Sequence, residues 1–282
     1  MTRSQDLAAL VGKMPELDRH GKLDGPPWPE AEKIYDEILK GGRENVAKLV
    51  GMLKEVDDGE DYKVRYVIHG LALYLCRPEK GKDRGAFTAS LVSQLGKDRP
   101  KAVQGFVVRE LQVAGGKEAV EPLGKLLADE ELYEDAAMAL LAIREGAVEE
   151  FRKALPGARG KRRLTVVQAL GVLRDAGSVE ALRKAAADED RETRLAALWG
   201  LANIGDAGSA DLVSKASEKA EGWERTRATQ ACLLLAERLV AAGKKADAEK
   251  VCKRLKEART DPSEAYIREA ADRALSAAPL RM

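Results

Sequence analysis

Few side chains in this chain could do bond-making chemistry. Two histidines, His20 and His69, and three cysteines, Cys76, Cys232 and Cys252, are the only residues of those types. Two imidazoles leave little material for a histidine-based metal site or a catalytic triad. The cysteines have no CxxC or CxxH spacing and fall in helical patterns, which predicts small buried thiols without a disulfide framework. No Walker loop, GxSxG elbow or HExxH helix is present. The run Asp57-Asp58-Gly59-Glu60-Asp61 lacks the alternating ligand spacing and distal glutamate of a calcium loop, and reads as a solvated turn. A basic run, Arg152, Lys153, Arg159, Lys161, Arg162 and Arg163, either meets phosphates or an acidic surface, or is solvated loop charge. The residues therefore predict no catalytic site, no metal and no cofactor. They point to binding.

Composition narrows what is bound. The 48 basic residues nearly cancel 47 acidic ones, which disfavours nucleic acid and anionic membranes as general partners. No apolar run approaches the roughly 18 residues that would cross a bilayer. The N-terminus lacks an apolar signal core, so a cytoplasmic monomer is expected. Hydrophobic residues make up 45% of the chain but aromatics only 4%, so the core must be built from Leu, Ala and Val. Such side chains suit closely packed helix pairs.

The elements that would position any site recur. A starting residue is followed six positions on by a small residue and at the seventh by leucine, as in Tyr133–Ala139–Leu140, Arg163–Ala169–Leu170 and Arg194–Gly200–Leu201. The seventh positions Leu71, Leu111, Leu140, Leu170, Leu201, Cys232 and Leu275 are 40, 29, 30, 31, 31 and 43 residues apart. A period near thirty predicts an all-α solenoid of about seven antiparallel helix pairs, each burying its apolar face against its neighbours. First helices are expected near 44–55, 84–96, 117–128, 147–155, 178–187, 208–219 and 245–257. Second helices are expected near 62–76, 101–114, 131–144, 161–174, 191–204, 224–241 and 263–277. Residues 1–42 read as an irregular N-terminal cap with a short helix at 4–13, and residues 43–282 as the array. In the cap, Gly25-Pro26-Pro27-Trp28-Pro29 is read as non-helical, with Trp28 either a plug or part of a polyproline recognition motif. No β-sheet is expected.

The segment Gly116-Lys117-Glu118-Ala119-Val120-Glu121-Pro122-Leu123, followed by Asp129-Glu130, resembles the first helix and turn of HEAT-like repeats. The run from Asp188 through Asp206, with Arg194, Leu198, Gly200 and Leu201, resembles the turn and second helix of the short, phycobilisome-lyase type. Val64, Gln104 and Tyr133 stand where such repeats usually carry arginine, so the Asp–Arg ladder should be incomplete there. The resemblance implies that second helices line a concave surface. Positions two, three, six and seven after the register residue would face the core, and the fifth would face the groove. Those fifth positions are His69, Arg109, Met138, Gln168, Trp199, Gln230 and Arg273, flanked at the first position by Arg65, Glu134, Leu195, Thr226 and Glu269. Trp, Met, His and Arg in such a row are types enriched at interfaces. Trp199 either anchors a partner or packs under a neighbouring unit. Arg109 and Arg273 either clamp an acidic partner or pair with the adjacent repeat. His69, between Ile68 and Gly70, offers a hydrogen bond.

The function expected is a non-enzymatic scaffold that grips another protein, or a domain of a larger assembly, in this groove. The resemblance also admits a HEAT-like DNA glycosylase or other nucleic-acid binder, and a bilin lyase-type chaperone.

Overall fold

The computed structural model describes residues 6–17, 19–55, 60–96 and 98–276. Asp57, Asp58 and Gly59 of the acidic run, residues 4–5 of the first expected helix and residue 277 of the last lie outside them. The chain divides into two compact units, residues 1–150 and 151–282.

The first unit begins with α1 (Leu7–Gly12), a two-residue antiparallel ladder of β1 (Glu16–Leu17) with β2 (Leu23–Asp24), and α2 (Trp28–Leu39). Two departures from expectation lie here. The small hairpin was not expected, and the Trp-Pro step opens α2 instead of interrupting it. Trp28 and Pro29 occupy its first two positions, where the missing proline N–H has no intrahelical partner to lose. Three helix pairs follow: α3 (Gly42–Gly51) with α4 (Tyr62–Leu75), α5 (Gly81–Val92) with α6 (Lys101–Ala114), and α7 (Lys117–Leu126) with α8 (Tyr133–Ile143). First helices stack α3 on α5 on α7, and second helices α4 on α6 on α8. α9 (Ala147–Ala154) spans the division. The second unit continues with α10 (Gly160–Val172), α11 (Val179–Ala185), α12 (Arg191–Ile204), α13 (Ala210–Lys219), α14 (Gly222–Ala241), α15 (Lys245–Glu257) and α16 (Ala265–Ser276). Here α10, α12, α14 and α16 stack as the second helices. The fold is all-α, built of solenoid helix pairs.

Helix ends follow local chemistry. The Asp190 side chain accepts a 2.7 Å bond from the Thr193 amide at the start of α12, and Gly205 closes that helix with a left-handed φ of 79°. The core periodicity differs from the expected one by one position. Positions three, four, six and seven are buried in six of the seven second helices, for example Val67, Ile68, Gly70 and Leu71, or Ala197, Leu198, Gly200 and Leu201. At about 100° per residue these four fill one arc, while position two falls outside it and position five points directly away. Among the described residues no helix is long and apolar enough to cross a membrane.

The cap is fastened by aromatic and cationic side chains. Tyr35 of α2 is buried against Gly70 of α4, and its hydroxyl would overlap any Cβ there. Burial pushes its phenol up to about 12. Arg77 lies 5.0 Å over the Trp28 ring and 5.3 Å over Tyr74, whose hydroxyl donates to Asp36 at 2.8 Å. Trp28 itself remains 44% exposed, with Arg77 against one side of its ring.

Candidate interaction face

Each second helix turns its fifth position outward. His69, Arg109, Met138, Gln168, Gln230 and Arg273 are exposed, whereas Trp199 is half-buried. Of the flanking first positions, Glu134, Thr226 and Glu269 are exposed, Arg65 is partly covered, and Leu195 is buried in the core. Leu195 therefore drops out of the row.

In the first unit the arginines are already engaged. Arg65 donates to Asp61 at 2.7 Å and lies 5.1 Å over the Phe106 ring. Arg109 donates to Asp135 of the next second helix at 3.1 Å, and Lys101 pairs with Asp129. Burial alone would raise the Asp61 and Asp129 carboxyls, but hydrogen bonds from Arg65 and Lys101, respectively, hold both below the usual carboxylate range. An acid-clamping role for Arg109 loses its basis, since the guanidinium serves the adjacent repeat. Together with Glu55, Gly105 and Glu131, these residues line a hollow of about 390 Å³ at the N-terminal ends of α6 and α8. Glu55 and Glu131 are exposed and have no ion-pair partner among the described residues.

Midway along α4, His69 Nδ1 lies 3.1 Å from Oε2 of Glu110. Glu110 occupies a sixth position, where the other repeats carry Gly or Ala, and is buried. That burial raises its carboxyl pKa, opposed by His69 and Arg109.

One turn further along α4 and α6 the surface becomes apolar, while α8 carries its apolar side chain at the level of His69 and Arg109. Leu73 on α4 is 48% exposed, Val113 on α6 36%, and Met138 on α8 53%. Cys76 Sγ donates to the Val113 carbonyl at 3.3 Å, which brings the C-terminal ends of α4 and α6 together. Cys76 is exposed, so only Cys232 and Cys252 fit the expected buried thiols, both pushed up to about 11 by burial. The ninth positions Leu73 and Val113 had been missed by sequence reasoning. Adding four to the outward fifth position would have found them, because residues four apart share a helix face.

In the second unit Trp199 leans over Gly171 of the neighbouring second helix. A Cβ built on Gly171 would lie 3.1 Å from its ring and 2.8 Å from the Gly200 Cα. Two glycines thus let α10 and α12 approach closely, and the trough at Gly171 receives the indole. Trp199 is packed on one part of its ring against Gly171, and the rest is reachable from solvent. Asn203 donates to the Gly171 carbonyl and accepts from Arg238, each at 2.9 Å. Gln230 accepts from Arg227, which lies 5.6 Å over the exposed Trp223 ring. Arg273 lies 3.9 Å from Glu269 on its own helix.

The register arginines make a ladder in this unit. Arg163 donates to Asp188 at 2.6 Å, Arg194 to Glu224 at 3.1 Å and Arg225 to Glu264 at 3.0 Å. Arg163 holds the Asp188 carboxyl below the usual carboxylate range. In the first unit Gln104 instead bonds the Arg99 carbonyl and the Gly96 amide. The basic run is largely consumed locally: Arg152 reaches Asp175 at 2.7 Å and Arg159 the Pro156 carbonyl at 2.8 Å. Among the described residues no three His, Cys, Asp or Glu side chains converge as metal ligands would.

Residues 148–233 match the family model described as HEAT repeats. No curated protein matches the chain. Among solved structures, the complex of CpcE and CpcF of phycocyanin lyase from Nostoc sp. PCC7120 is 18% identical, with 90% of this chain and 94% of that one covered and a TM-score of 0.38. Human deoxyhypusine hydroxylase in complex with glycerol is 18% identical, covering 97% and 96%, with a TM-score of 0.32. A designed armadillo repeat protein in complex with the peptide (KR)4 is 20% identical, covering 96% and 100%, with a TM-score of 0.30. Overlays at these TM-scores carry no argument about activity. Residues 148–233 are thus similar to HEAT repeats, and helix pairs of the same kind continue through the rest of the described residues.

Proposed function

We propose that this HEAT-like chain is a non-enzymatic scaffold that grips a partner protein on the outward face of its second helices. The observation that carries this reading is the row of Leu73, Val113 and Met138, exposed apolar side chains on three successive second helices of one unit. A surface kept only for solubility would carry Lys or Glu there. Rigid helices hold the row in place, so a partner meets it with little ordering cost on the scaffold's side.

The nucleic-acid alternative draws no support from the hollow on α4, α6 and α8, whose cations Arg65, Lys101 and Arg109 are each bonded to a carboxylate. His69–Glu110 is the arrangement closest to catalytic machinery, and no nucleophile shares its hydrogen bonds. The test is affinity capture from native lysate with the full chain, comparing wild type with Val113→Asp and Met138→Asp. Both positions are exposed, so helicity should be unchanged, while a specific partner is depleted by about tenfold or more, the scale of one hot-spot contact. Equal capture by all three would remove the face from consideration.

A further inference from the structure

The charge around the apolar row says what kind of partner it fits. The hollow at its N-terminal edge is lined by three cations, Arg65, Lys101 and Arg109, and by Glu55, Glu131 and Asp135. Each cation is paired: Arg65 with Asp61, Lys101 with Asp129 and Arg109 with Asp135. With Asp61 and Asp129 counted, five carboxylates face three cations, and Glu55 and Glu131 are left without a counter-charge. An incoming carboxylate or phosphate would have to displace an existing ion pair. An incoming ammonium or guanidinium finds two exposed carboxylates and breaks nothing.

Position matters as much as sign. The hollow begins at the level of Arg65 and Gly105, first positions on α4 and α6, and the apolar row lies at Leu73 and Val113, ninth positions on the same helices. Eight residues of helix put the acidic and apolar edges about 12 Å apart. An extended chain covers that in roughly three to four residues.

Resting on the scaffold reading above, we infer that the face of α4, α6 and α8 docks a peptide segment carrying Lys or Arg three to four residues from a large apolar side chain. The apolar residue lies against Leu73, Val113 and Met138, and the basic residue enters the hollow beside Glu55 and Glu131. The apolar contact supplies affinity, while the charge selects among partners and aligns the segment.

The experiment uses the full chain as bait for a displayed library of random dodecapeptides, with the Val113→Asp, Met138→Asp double variant as a parallel bait. Peptides enriched on wild type over that variant should be basic, with a large apolar residue at the stated separation. For a selected peptide, Glu55→Lys with Glu131→Lys should weaken binding by about tenfold, since each reversal turns an exposed attraction into a repulsion. Raising ionic strength should shrink that difference. Enrichment of acidic or neutral peptides, or unchanged affinity after the double charge reversal, overturns this inference and leaves the scaffold standing. No enrichment over the double-variant bait overturns the scaffold reading and this one with it.

Discussion

Substituting Gly171 with alanine tests how the second unit is held together. In an isolated helix the change stabilises by about 1 kcal/mol, because glycine is the poorer helix former. Here the new Cβ would sit 2.8 Å from the Cα of Gly200 and 3.1 and 3.3 Å from two carbons of the Trp199 ring. The first of these is backbone, so α12 must move away from α10, and overpacking of this kind costs about 1–3 kcal/mol. Gly171→Ala should therefore destabilise by about 1 kcal/mol net, the difference of the two terms. Gly200→Ala is the control. Its Cβ would meet the Gly171 Cα at 3.2 Å and the end of Leu182 at 3.4 Å, contacts that yield by a few tenths of an ångström. The two terms then nearly cancel, and the net change should stay within about 0.5 kcal/mol. Urea unfolding followed by tryptophan fluorescence, with ellipticity as a second probe, reads both variants at unchanged m-value. If Gly171→Ala raised stability, or Gly200→Ala cost more than Gly171→Ala, close helix approach would not explain the glycines, and the seat assigned to Trp199 would be wrong.

Two further outcomes follow from buried charge. Arg259 is 0% exposed, and its Nη2 donates to the Ser217 carbonyl at 2.9 Å and to the Ser217 and Thr229 hydroxyls at 2.8 Å each. Arg259→Ala should lower second-unit stability by about 3 kcal/mol or more, since a cavity and unpaired polar groups remain, and Arg259→Met by less. Thermal melts ranking Ala at or above Met would refute that. Glu110, with its pKa raised by burial, binds a proton more tightly folded than unfolded. Its contribution is therefore present below the unfolded value of about 4.3 and is lost as pH rises through the folded pKa. Glu110→Gln should flatten that decline in first-unit stability, and parallel wild-type and variant curves from pH 4 to 8 would count against it.

Much of the architecture could be read before any coordinates. Gly or Ala at the sixth position and Leu at the seventh, with Glu110 and Cys232 as the exceptions, mark the seven second helices, because those side chains lie in the buried arc against the neighbouring repeat. What escaped was set by contacts that no local pattern encodes. Trp28-Pro29 starts a helix because a proline loses nothing at the first turn, and Trp28 meets Arg77, nearly fifty residues later in the chain. Leu195 is expected outside and is buried, although first positions on other second helices, such as Glu134 and Thr226, are exposed.

The same limit governs the site. Spacing alone names Arg109 as an exposed arginine in a row of interface-type residues, and from that an acidic partner is a fair reading. Only the fold supplies Asp135 at 3.1 Å and leaves Glu55 and Glu131 without counter-charges. The sign of a surface is a property of pairs, and pairs between repeats are separated by 26 residues at Arg109–Asp135 and 28 at Lys101–Asp129. A whole-chain balance of 48 against 47 averages such pairs away. Hence a near-neutral sequence carries a face with a net acidic edge beside an apolar row, and a partner chosen by that face should be basic where the chain as a whole suggests no preference.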